Sequence, residues 1–266
     1  GSLGWMGAGW LVSILSMDLS ASVGWLSVGA SILAAACCFL LPHCPPQGGP
    51  PKNALDVLGL RAFRLFKQRD TAIFFGTAFL FSIPLSAYFM HTPQQLRFLG
   101  CEQIAAVMTV GQLTEVVAML LMGWLLRRWT IKSIFVLALG CGTLRYLLYA
   151  VGASDDSIAS VLLGVALHGI CWTYFFEAGK VFLARRIERG IRTQSQALLA
   201  LLTSGIGGLA GTALVGWAHG FLVNETTGAG WDHYWWLLTA VCGFCVIGFM
   251  IGYRGAHPSA KITEFG

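Results

Sequence analysis

The sequence predicts an all-α protein built from membrane-spanning helices. Of its 266 residues 56% are hydrophobic and only 11% are charged, against about 25% charged in ordinary soluble domains. Apolar runs recur along the chain, each near the roughly 20 residues that a helix needs to cross a hydrocarbon core. The alternating pattern of membrane β-barrel strands is absent, so the backbone polar groups must be satisfied inside helices. Eight runs are read, over about 3–18, 22–41, 71–91, 103–126, 131–152, 158–182, 196–222 and 233–253.

The first run opens on "GSLGWMGAGWLV", with no initiator Met, no basic n-region and no cleavage site of the signal-peptide kind. The sequence therefore reads as a piece whose N-terminal part lies elsewhere. After the second run comes "PHCPPQGGPPKNALDVLGLRAFRLFKQRD", Pro- and Gly-rich and then basic and amphipathic. It reads as a linker followed by a short helix lying on the cytoplasmic membrane surface. The resulting division is 1–41, the last two helices of one bundle; 42–70, the linker; 71–254, a six-helix bundle; and 255–266, a cytoplasmic tail.

Basic residues support the count of spans and orient them. Lys52, Arg61, Arg64, Lys67 and Arg69 precede the third run, Arg127, Arg128 and Lys132 follow the fourth, a cluster from Lys180 to Arg192 follows the sixth, and Arg254 follows the eighth. The opposite loops hold Arg97 alone against acidic residues such as Asp155, Glu225 and Asp232. The basic side is thus cytoplasmic, and the net charge of +5 is accounted for by topology without invoking nucleic acid.

Most of the eight cysteines lie within apolar runs, "CGFC" at Cys242–Cys245 included, where they pack as small apolar residues. No metal-ligand cluster, cofactor motif, G-x-S-x-G or H-E-x-x-H occurs. An enzyme is therefore not expected. Gly207 and Gly211, in the seventh run, have the spacing that lets helices approach closely.

Ionisable groups inside spans are costly and mark solute or ion paths. Four stand out: Glu115, Arg145, His168 and Glu177. Glu115 lies mid-span with Gln112 one turn away on the same face. An amide beside a carboxylate that accepts hydrogen bonds or, desolvated, carries a proton suits a neutral polyhydroxylated solute coupled to protons. The alternative is a protonated Glu that only holds helices together. Arg145 is a structural or gating candidate that snorkels outward, pairs with an acid, or guards the outer mouth. His168 and Trp172 offer a donor and a stacking face to a flat ring, or His168 is a core residue bonded to a carbonyl. Glu177 is either a second proton-coupling candidate beside Thr173 or the partner of Lys180 at i+3.

A long cytoplasmic loop between helical bundles is the plan of major facilitator transporters. At these residues the sequence resembles the nucleoside:proton symporter family of that superfamily. The likeness runs through "GSLGWMGAGWLV" as the fifth helix, "FFGTAFLFSIPLSAYF" as the seventh, "GQLTE" for the family's G-Q-x-S-E in the eighth, and "LRYLLYAVG" in the ninth. It continues in "LHGICWTYFFEAGKVF" as the tenth and "RTQSQALLALLTSGIGGLAGTALVGW" as the eleventh. The resemblance implies equivalents of helices 5 to 12, a monomer in the bacterial inner membrane, and import of nucleosides with protons. It implies that Gln112 and Glu115 line the nucleoside site and hydrogen-bond the ribose. One departure is visible: where characterised members carry an Asp before an aromatic pair, Thr173 stands here. That departure keeps a second reading open, the same fold moving another polar solute, such as a sugar or metabolite, without proton coupling.

Overall fold

A computed structural model describes residues 1–18, 20–43 and 60–255. Among the described residues the chain is helical, with no strand. Two shorter helices come first, α1 (Ser2–Ile14) and α2 (Ser22–Cys38). Six longer ones follow: α3 (Arg69–Phe98), α4 (Ile104–Arg128), α5 (Ile131–Ser154), α6 (Ile158–Arg186), α7 (Arg192–Leu222) and α8 (Trp231–Gly252). All six are long and apolar enough to cross a membrane.

The first two runs fall short of the expected length. With 13 and 17 residues and a rise of about 1.5 Å per residue, α1 and α2 reach only about 20 and 26 Å. The first ends at a turn in which Ser16 takes φ 53°, a left-handed conformation that no helix continues through. The second stops just ahead of Pro42, which disfavours helix in the residue before it. Of the 42–70 linker, residues 44–59 lie outside the described residues, as does 256–266 of the tail. The amphipathic stretch is a 3₁₀ helix, Leu60–Lys67, and it does not simply rest on the bilayer. Ala62 and Leu65 are buried, and Phe66 packs on Phe75 of α3 with ring centroids 5.4 Å apart.

Local signals start and stop the long helices. Thr130 caps α5 by accepting from Ser133 N at 3.2 Å, and Ser157 caps α6 through Ser160 N at 3.4 Å, each satisfying an amide that the first helical turn leaves free. The turn before α8 needs left-handed residues and finds them in Gly228 (φ 70°) and Gly230 (φ 92°). The start of α4 is capped from α1 and the turn after it: Asp18 Oδ1 accepts from Ala105 N at 2.6 Å and Ser13 Oγ from Ala106 N at 3.0 Å. Those contacts dock α1 along α4.

The basic ends of the long helices gather at one end of the bundle. Arg69 Nε donates to Gly252 O at 3.0 Å, and Lys132 Nζ donates to Met250 O and Tyr253 O at 3.0 and 2.7 Å, so cations sit on the last carbonyls of α8, where the helix dipole favours them. Asp70 accepts from Arg254 N at 3.0 Å and faces Arg186 at 3.8 Å. Above this layer Phe74, Phe135, Phe175 and Phe182 interleave. The opposite end is closed by Trp231, Tyr234 and Trp235 and by a face-stacked pair, His91 and His219, with centroids 4.3 Å apart.

Candidate functional site

The midsection of the bundle is organised by the contact of α4 with α6. Gly169 faces the backbone of Thr114 and Glu115 so closely that a methyl group there would overlap Glu115 N. Thr114 Oγ1 donates across the contact to Ala166 O at 2.7 Å. This approach, possible because Gly carries no side chain, sets Glu115 against the middle of α6.

Glu115 and Gln112 are 7% and 6% exposed, so the i, i+3 pair shares a buried face of α4, as its spacing predicts. Ser2 Oγ of α1 donates to Glu115 Oε1 at 2.9 Å. From α6, Thr173 Oγ1 donates to Glu115 O at 3.5 Å. Thr173 and Trp172 belong to a π-helical turn, Trp172–Glu177. Such turns are rare, often occur at functional sites, and bring an extra residue into the helix circumference.

His168 lies one turn before Trp172, with ring centroids 6.1 Å apart and planes 26° from parallel. Its closer neighbour is Tyr88 of α3, stacked at 4.0 Å and 3°. His168 is buried, as the core reading expects, but the bonded partner is not a carbonyl: Nδ1 accepts from Arg145 Nη1 at 3.0 Å.

Arg145 is the chief revision. It is fully buried, so it does not snorkel, and no carboxylate pairs with it among the described residues. Nη2 donates to Tyr146 Oη at 2.7 Å, and Tyr146 Oη donates to Pro84 O at 2.5 Å. The guanidinium carbon lies 5.0 and 4.5 Å from the ring centroids of Tyr88 and Tyr146. Isolated charges in hydrocarbon are strongly disfavoured; two aromatic faces and two neutral acceptors offset that cost here.

Glu177 stands apart from this group. Lys180 Nζ is 2.6 Å from its Oε1, an i, i+3 pair with the carboxylate side chain 27% exposed. Cys242 and Cys245 are buried free thiols, and no group of three potential metal ligands occurs among the described residues.

Glu115, Thr173, His168 and Trp172 are thus assembled by two helices, with Gln112 on the same stripe as Glu115. Ser2 and Tyr88 were not anticipated. Tyr88 had one legible sign, a phenol within an apolar span; nothing in a linear pattern points Ser2 at Glu115 across 113 residues.

Comparison with known proteins bears on the family and the fold. The putative nucleoside transporter YegT of Escherichia coli (strain K12) is 27% identical over 269 residues, covering 96% of this chain and 63% of the relative. The xanthosine permease of the same organism is 27% identical over 276 residues, covering 99% of this chain and 66% of the relative. The chain thus spans about two thirds of the length of these relatives. Two crystal structures of the nucleoside transporter NupG superpose with TM-scores of 0.83 and 0.78, each at 22% identity and over 96% of this chain, which covers 66% and 65% of theirs; the likeness establishes the fold. The family model described as nucleoside H+ symporter matches residues 1–258. By its sequence over nearly its whole length, its apolar helices and its fold, this chain is a multi-pass integral membrane protein belonging to the nucleoside H+ symporter family.

Proposed function

We propose that the protein is a secondary active transporter that imports nucleosides together with protons by alternating access. The observation that carries this reading is the buried carboxylate Glu115, set with Gln112 on an apolar helix against the π turn of α6. A carboxylate and an amide on one face supply acceptors and donors for ribose hydroxyls, and only the carboxylate can also take up and release a proton. Trp172 supplies a face for a planar base. His168 and Thr173 complete the polar lining. Glu115 carries the proton, while Glu177 is held in its local pair with Lys180.

In this reading α1 and α2 are the last two helices of one bundle, α3 to α8 form a complete second bundle, and the eight correspond to helices 5 to 12 of the major facilitator plan. The docking of α1 on α4 supports it, since solute sites of this plan lie between the bundles near the bilayer midplane. The basic end faces the cytoplasm, the membrane is the bacterial inner membrane, and the working unit is a monomer.

Uptake of labelled nucleosides and sugars by vesicles containing the full-length gene product tests the reading. Nucleoside accumulation driven by an inward proton gradient, and abolished by a protonophore, is expected. Sugar accumulation without nucleoside uptake would overturn it.

A further inference from the structure

The contact between Arg145 and His168 has more content than packing. Guanidinium carries five N–H donors, no acceptor, and keeps its proton in proteins. With Arg145 Nη1 3.0 Å from His168 Nδ1, Nδ1 must supply the lone pair, and the ring proton must then reside on Nε2.

Every neighbour of the ring agrees. From α3, Tyr88 stacks flat on it and Phe89 meets it edge-on, 5.7 Å away at 81°. From α5 comes the cation itself. From α4, Gly111 packs on the Cβ of His168, and the nearby acid, Glu115, accepts from Ser2 instead. On its own helix lie Cys171 and Trp172, both uncharged. No carboxylate is bonded to this imidazole among the described residues, so a second positive charge would be repelled by Arg145 with no acid bonded to it to offset that cost. Arg145 is itself held by Tyr146, which is anchored to the backbone of α3 at Pro84. Nε2 makes no hydrogen bond among the described residues.

We propose that Arg145 is a positioning residue for the solute site: it holds His168 as the neutral Nε2–H tautomer, flat on Tyr88, so that the ring offers the solute a hydrogen-bond donor and no acceptor. The solutes selected are those whose planar ring turns a carbonyl oxygen or an unprotonated ring nitrogen toward His168. The inference rests on the nucleoside reading above for the identity of the solute, and on the geometry alone for the tautomer.

Nitrogen-15 solid-state NMR of the full-length gene product, labelled in its imidazoles, separates the two. The His168 signals, assigned by their loss in His168→Gln, should show an unprotonated Nδ1 and a protonated Nε2. A protonated Nδ1 or a doubly protonated ring would overturn the proposal, and this measurement needs no variant of Arg145. Arg145→Met should mix the tautomers and lower the preference for a nucleoside over its deaza analogue lacking a ring acceptor by up to about tenfold. Arg145→Lys, which keeps a cationic donor, should restore both. A changed tautomer with unchanged preference in Arg145→Met would overturn the positioning role. The expected spectrum in a protein that takes up no nucleoside would support the tautomer and sink the nucleoside reading.

Discussion

Glu115 is buried, bonded by Ser2 and backed by the π turn, which makes two roles separable by one substitution. Glu115→Gln keeps size and hydrogen bonding and removes titration. Accumulation driven by a proton gradient should fall to the level of passive equilibration, while exchange of labelled for unlabelled nucleoside persists. Wild-type rate, affinity and pH profile would reduce Glu115 to a helix-packing role. Trp172 is tested through substrate chemistry: Trp172→Ala should weaken binding of a nucleoside about fivefold, the loss of one stacking contact worth about 1 kcal/mol, and should leave free ribose binding unchanged. Equal loss for both would leave Trp172 as a packing residue only.

Helix contacts depend on where glycine allows backbones to meet, and the glycines are not equivalent. In α7, Gly207 and Gly211 face Ser82 and Ser86 of α3 so closely that an added methyl would overlap either hydroxyl. Gly216, on the same helix, has nothing within 4 Å. Gly211→Val should therefore destabilise the bundle by about 1–3 kcal/mol through overpacking, read as a lower midpoint of thermal unfolding in detergent, while Gly216→Val should be near neutral. Equal midpoints for the two variants would remove the α3–α7 contact as a stability determinant. Gly169 is a stricter case, because its neighbour is the backbone of Glu115 rather than a side chain, and backbone cannot rotate aside. Gly169→Ala should lower solute affinity as well as stability, since separating α4 from α6 moves the candidate site apart.

Across the whole molecule, the charged layer at one end and the aromatic closure at the other define a direction. Arg64 pairs with Glu188 at 3.0 Å, and Arg186 faces Asp70, while Trp231 and Tyr234 lie at the far end. Single cysteines placed at positions 61 and 189 should therefore be labelled by an impermeant reagent from the cytoplasmic side only. Those at positions 155 and 225 should be labelled from the outside only. Labelling of positions 189 and 155 from the same side would break the proposed topology.

The class of protein and its six long helices were legible from composition and run length, because a bilayer demands helices of a certain length and rejects charge within them. The amphipathic spacing of Gln112 and Glu115, the Glu177–Lys180 pair and the close-packing role of Gly207 and Gly211 were legible for the same reason: each is a relation within one helix, governed by its own periodicity. The curtailed first two helices were less so, because a turn at Ser16 and the approach to Pro42 truncate runs whose hydropathy continues past them. What Arg145 does was hidden. A sequence shows a cation in a span and invites a search for an acid; the fold instead sets it, beside its chain neighbour Tyr146, against His168 and Tyr88 from two other helices. Partners separated by many residues are chosen by packing between helices, not by spacing along any one of them. The π turn was hidden as well, since an extra residue in a helical turn is favoured by the contacts its side chains gain from α4, contacts that exist only after the helices have met.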